Sequence, residues 1–228
     1  MLLAIDTATT TASLAVYDLK NERLLAEMTW AARRRQTQDL LLTAQELLAL
    51  LKLEPTAIDA LAVTTGPGSF TGVRIGVSTV KGIGLGLARR PLVVGMPTLN
   101  VTAGPWLEPA QSADAGVCAV IQAGRGRYNW ALLVRADRLR RLDADDHHVG
   151  TVDDLLLFLE NRPAPTWLIG ELTADLIEVS AAMAHVQVID NVSGQRRAGQ
   201  LARLAGDLLA DGVSDSLDGL RPLYLGNP

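Results

Sequence analysis

The chain has 228 residues, 48% apolar and 4% aromatic, a formal net charge of -4 and one cysteine. That length holds one large domain or two of about 110 residues. The acidic balance (pI 5.4) argues against a bulk electrostatic nucleic-acid binder, though not against a local basic patch, and the single Cys118 excludes an internal disulfide or a cysteine zinc cluster. Met1-Leu2-Leu3 meets Asp6 too soon for a signal peptide, and no apolar run reaches about 18 residues without charge, so a soluble, cytoplasmic chain with no membrane contact is expected.

Residues 2–5 read as a short apolar strand and 6–11 as a polar turn, Asp6-Thr7-Ala8-Thr9-Thr10-Thr11. Strands at 12–17 and 24–30 complete an antiparallel meander. Residues 36–51 have helical spacing, with Leu40, Ala44, Leu47, Leu48 and Leu51 on one stripe. Leu42, Ala49 and Leu50 fall on the opposite side, where an ordinary surface helix is polar. Either this helix is sandwiched inside its own chain, or it buries a second face against another molecule.

A strand at 61–65 runs into Gly66-Pro67-Gly68-Ser69-Phe70-Thr71-Gly72-Val73-Arg74-Ile75-Gly76, and a helix is expected over 71–88. Strand, tight turn and helix start form an arrangement that receives anions, because the first N–H groups lack partners and the dipole is positive there. It is no standard nucleotide loop. No Gly-Lys-Ser/Thr follows, and the third glycine of the dinucleotide pattern falls on Thr71. Asp6 and Thr7 close the first strand, so Asp6, Thr7, Gly66, Gly68, Ser69 and Thr71 are the candidate nucleotide contacts. The competing reading is a turn that bonds to itself, with glycines serving positive φ and close packing.

The helix over 71–88 carries Gly72, Gly76, Gly82, Gly84 and Gly86. Each interior glycine costs about 1 kcal/mol against alanine. Gly72/Gly76 and Gly82/Gly86 are each four apart, hence each on one face, and a bare face admits a neighbouring backbone. That neighbour is either the chain's own sheet or a helix of a partner. The candidate partner interface is Leu42, Ala49, Leu50, Gly72, Gly76 and Val80. A strand at 92–95 ends this half.

After a loose stretch over 105–115, strands are expected at 117–122 and 130–134, with a weaker one within 143–149. A helix at 152–161 carries Asp153 and Asp154 in its first turn. Then come a strand at 167–170, a helix at 172–184, a strand at 186–189 and a helix at 196–210. The order β-β-β-α-β-α-β thus occurs twice, at the level of elements only. Two such halves, 1–104 and 105–228, would face each other across a cleft.

Chemistry-bearing residues are few. His147 and His148 are adjacent and point to different sides of an extended chain, no His-x-x-x-His pair exists, and no metal site is expected. His185 suits a helix end. Ser69 has no base beside it in sequence, so no catalytic residue is assigned. Arg33-Arg34-Arg35 is either a solvated turn or a contact with RNA or an acidic partner, and Arg138-Leu139-Arg140-Arg141 is offset by Asp143, Asp145 and Asp146.

Leu3-Ala4-Ile5-Asp6-Thr7-Ala8-Thr9, the Gly66–Gly76 string and Lys81-Gly82 resemble the bacterial TsaB/YeaZ family of tRNA threonylcarbamoyladenosine synthesis. Ala123-Gly124-Arg125-Gly126 with Trp130, and Pro222-Leu223-Tyr224-Leu225, extend the resemblance over essentially the whole chain. It implies the α/β actin-like ATPase fold and a non-catalytic subunit. The implied partners are a TsaD-like catalytic paralogue, which holds a metal through a His-x-x-x-His pair, and a TsaE-like ATPase. A second copy of the chain is a further implied partner, and tRNA is met indirectly through the complex. No cofactor is implied for this chain alone; ATP or ADP belongs to the complex. The implied docking face is the first two helices, 36–51 and 71–88. The family has His where Gln36 or its neighbour stands, Asp where Gln122 stands and Arg where Gly124 stands. The alternatives are an enzyme of the same fold, either an ATP-dependent kinase or a metal-dependent transferase or peptidase-like relative, and a homodimeric interaction module unrelated to tRNA.

Overall fold

The structure, a computed structural model, describes residues 1–32 and 36–225, with backbone alone for 36 and 37. The Arg33-Arg34-Arg35 run lies outside the described residues. The chain divides into two compact units, Met1–Thr98 with Arg197–Leu223, and Leu99–Arg196 with the chain end from Tyr224.

The first unit opens with β1 (Leu2–Asp6), β2 (Thr11–Asp18) and β3 (Arg23–Ala31), then α1 (Gln36–Leu50), β4 (Ala60–Gly66), α2 (Phe70–Gly86) and β5 (Leu92–Pro97). The sheet order is β3-β2-β1-β4-β5. β1–β2 and β2–β3 pair antiparallel, and β1–β4 and β4–β5 pair parallel. β1 and β4 are buried along their whole length, as central strands covered on both faces must be. Strand alternation sends Leu3, Ile5, Leu61 and Val63 into one core with Leu40, Leu47, Val73, Val77 and Val80 of α1 and α2.

The second unit repeats the pattern behind two short helices, α3 (Thr98–Ala103) and α4 (Leu107–Ser112). It runs β6 (Gly116–Gly124), β7 (Arg127–Leu133), β8 (His148–Gly150), α5 (Val152–Glu160), β9 (Thr166–Gly170), α6 (Ala174–Ala181) and β10 (Val186–Val188); the helix that follows in the chain, α7 (Ala198–Ala210), belongs to the first unit. Its sheet order, β8-β7-β6-β9-β10, has the same sequence of antiparallel and parallel pairs as the first. Two units of one topology make an α/β actin-like fold. The expected loose stretch after residue 104 is corrected: it holds α4, which at six residues is too short to repeat an apolar period and sits behind Pro105.

The expected division at 104/105 also shifts. The boundary falls at Thr98/Leu99, and α7 with the segment to Leu223 returns to the first unit. Ala198, Leu201, Ala202, Leu204, Ala205 and Leu208 form the buried stripe of α7, which lies across all five strands of the first sheet. It covers the face opposite α1 and α2. Tyr17, register partner of Leu2, approaches the bare Gly206, whose Cβ would stand 3.4 Å from the ring. The start of α7 is tied down by side chains of the meander. The Ala198 N–H donates to Ser13 Oγ (2.9 Å) and the Gly199 N–H to Glu27 Oε1 (2.6 Å). Two of the orphan donors at that terminus are thereby satisfied, and a carboxylate faces the positive end of the dipole.

Candidate partner-docking face and glycine loop

β4 ends at Gly66 and α2 begins at Phe70, so the glycine string is a strand-to-helix turn. Ser69 is the N-cap: its Oγ accepts from the Gly72 N–H (3.2 Å), and its own N–H donates to Ala8 O (2.6 Å). Gly68 lies directly on the Ala8 carbonyl at φ 157°, where no Cβ fits. Gly66, at φ 109°, leaves the room that Leu223 O occupies, 3.0 Å from where a Cβ would be. The Thr7 hydroxyl, fully buried, donates to Gly72 O (2.7 Å). Asp6 is 1% exposed, and its Oδ1 accepts from the Ala8 N–H (2.9 Å) and the Thr64 hydroxyl (2.8 Å).

Five of the six candidate nucleotide contacts, Asp6, Thr7, Gly66, Gly68 and Ser69, therefore come together at the end of β1 and the start of α2. Their polar groups are engaged with one another and with the adjoining turns, which braces the first strand against the helix. Thr71 is exposed on the outer side of α2. The Gln122 N–H donates to Glu171 Oε2 (3.1 Å), and Gly124 sits in the β6–β7 turn at φ 73°, beside Arg125 at 53° and Gly126 at 70°.

The imidazoles serve packing. His147 Nδ1 lies 2.6 Å from Asp143 O, and His185 Nε2 lies 3.0 Å from Leu159 O. The His148 ring stacks on Trp130 (5.6 Å) and meets Phe158 (4.8 Å). Burial lowers the pKa of both His147 and His148, which keeps them neutral, and pushes the Cys118 thiol up to about 12. Among the described residues no group of three His, Cys, Asp or Glu is placed to hold a metal ion.

The expected interface needs correction on α2. Gly72, Gly76 and Val80 face the chain's own core. A Cβ on Gly76 would stand 2.5 Å from Thr7 Oγ1 and 3.2 Å from Val63 Cγ2, and Val80 is wholly buried. Helical spacing fixes which residues share a face, not which way that face turns. The local signal was the run Val73, Val77, Val80, Gly84, an apolar stripe on which Gly76 also falls. On α1, Leu42 is 60% exposed, Leu50 is 74% exposed and Ala49 is exposed.

The outer face of α2 carries residues that the sequence reading passed over. Phe70 and Leu85 are 59% and 72% exposed, and the Arg74 guanidinium lies 3.8 Å over the Phe70 ring. Gly82 and Gly86 open onto empty space, with nothing within 4 Å of a Cβ. A shallow groove of about 350 Å³ runs between Phe70, Thr71, Arg74, Ile75, Ser78 and Thr79. α1 and α2 touch each other. Together with Leu41 on α1, they present large apolar side chains to solvent beside a bare glycine pair. No helix among the described residues is long and apolar enough to cross a membrane.

Comparison with known proteins gives the family. Residues 29–190 match the family model described as "TsaD: tRNA N6-adenosine threonylcarbamoyltransferase". The "tRNA threonylcarbamoyladenosine biosynthesis protein TsaB" of Escherichia coli is 35% identical over 130 residues, 57% of this chain and 53% of that protein. The Bacillus subtilis protein of the same name is 25% identical over 196 residues, 86% of this chain and 77% of that protein. The match thus spans about half the length of the first relative and more of the second. Among solved structures, a Pseudomonas aeruginosa protein "with similarity to peptidase YEAZ" superposes with TM-score 0.75 at 24% identity, over 99% of both chains. "YeaZ from Pseudomonas aeruginosa" gives 0.69 at 23%, over 98% of this chain and 99% of that one, and both likenesses bear on the fold alone. The chain belongs to the family that this model describes, with the TsaB/YeaZ proteins.

Proposed function

We propose that this chain is a non-catalytic partner subunit in the synthesis of threonylcarbamoyladenosine on tRNA. It docks through α1 and α2 onto a catalytic paralogue of the TsaD type and biases that enzyme toward its active arrangement. The carrying observation is the outward apolar surface of Leu42, Leu50, Phe70 and Leu85 beside the open Gly82/Gly86 pair. The loop chemistry supports the same reading. Asp6, Thr7 and Ser69 are spent on holding the strand–turn–helix together, and the sequence carries no His-x-x-x-His pair. An ATPase of the TsaE type, ATP or ADP, and tRNA belong to the assembled complex, and a second copy of the chain uses the same face when the paralogue is absent.

The test is direct binding to the paralogue by calorimetry, for the wild type and for Leu50→Glu and Leu85→Glu. Each change places a charge where an apolar contact is needed and leaves the core untouched. Binding weakened by about 2 kcal/mol or more per variant, at unchanged melting temperature, supports the reading. Undiminished binding by both variants refutes this face.

A further inference from the structure

The segment that follows α7 touches three parts of the first unit in succession. The Asp215 N–H donates to Val93 O (2.7 Å), and its Oδ2 accepts from the Gly95 N–H (2.7 Å), an antiparallel bridge on the outer edge of β5. Leu217 is 4% exposed and fills the space left by Gly84 of α2, its two methyls 2.9 and 3.0 Å from where a Cβ would stand. Leu220, 3% exposed, closes over Gly95. Lys81 of α2 donates from Nζ to Asp218 O (3.2 Å), and Arg90 pairs with the Asp218 carboxylate (3.0 Å). Finally the Leu223 N–H donates to Thr65 O (2.7 Å), directly before the glycine loop that starts α2. One short stretch therefore meets the start of α2 through the loop and its second half through Gly84 and Lys81.

The packing explains why α2 needs this. Its second half is glycine-rich: Gly82, Gly84 and Gly86 give it low intrinsic helicity. Val80 is its last large fully buried side chain; beyond it Ile83 packs only partly against the core, and Gly84 seats on Leu217. We infer that the C-terminal segment 213–223 is a positioning strap for the docking face, holding the second half of α2, and with it Gly82, Leu85 and Gly86, in the geometry that a partner meets. The inference rests on the proposed docking role for its consequence, and on the strap contacts alone for its mechanism. It makes residues far along the chain, none of them on the docking face, determinants of partner affinity.

Hydrogen–deuterium exchange on the full chain, without partner, tests the mechanism. Asp215→Ala removes the carboxylate that holds the Gly95 N–H and so loosens the strap at the sheet edge, while the backbone bond to Val93 O stays; Leu217→Ala withdraws a side chain on which α2 is seated. The α2 amides after Val80 are expected to exchange about tenfold faster in each, while those of β1, β4 and α7 keep wild-type rates. Asp215→Ala removes no core side chain, so it reads the coupling even where Leu217→Ala fails to fold. If strap amides open and α2 amides keep their wild-type rates, the strap is passive and the inference falls. Paralogue binding by Asp215→Ala then reads the consequence. Weaker binding than wild type supports it, and wild-type affinity alongside loosened α2 overturns it. Absent binding by the wild type itself would remove the docking role and leave the exchange result standing.

Discussion

Gly76 and Gly82 sit six residues apart on one helix and answer to opposite constraints. Gly76 exists because Thr7 and Val63 take the volume that a Cβ would need. Gly82 has nothing near it, so within this chain it only lowers helicity. Gly76→Ala should therefore destabilise the fold by about 1–3 kcal/mol through overpacking against β1 and β4. Gly82→Ala should stabilise the free chain by roughly 0.5–1 kcal/mol through propensity and a less entropic unfolded state. Denaturant midpoints at constant m-value read both. Equal shifts of one sign would contradict the facing of α2 described above.

At the scale of elements, the order β-β-β-α-β-α-β was legible twice because each piece carries a local signal. The meander has short apolar runs closed by polar turns, and α1 has the Leu40, Ala44, Leu47 stripe. α3 and α4 were not legible, since six residues complete fewer than two turns and no stripe can repeat. The loop residues Asp6, Thr7, Gly66, Gly68 and Ser69 were legible as a cluster because each stands at a strand end or a turn. Sequence left open whether their hydrogen bonds close on one another, the competing turn reading, or on an anion, for a carboxylate or hydroxyl reads the same whether its partner is a backbone N–H or a phosphate. Phe70 and Arg74 were passed over although their i, i+4 spacing predicts contact on one exposed face.

On the scale of the whole molecule, the sequence boundary failed through α7, whose amphipathic stripe states that it must be buried but not against which sheet. Ser13 and Glu27, more than 170 residues earlier, decide that by capping its start. The consequence is that residues 1–104 do not make a self-sufficient half. The face of the first sheet carrying Tyr17 is covered by α7, and removing it exposes an apolar sheet surface. A fragment of 1–104 should lack a cooperative thermal transition by circular dichroism, and co-expression with residues 197–223 should restore one. A fragment that melts cooperatively alone would show that α7 is an accessory.

The central claim, that the fold serves as a required non-catalytic partner, is tested most directly by omission. Threonylcarbamoyladenosine formation on tRNA is followed with the enzyme that makes the threonylcarbamoyl adenylate, the catalytic paralogue and the ATPase subunit, with and without this chain. Loss of product on omission, together with none formed by this chain in place of the paralogue, is the predicted result. Product formed at the same rate without the chain would contradict the account.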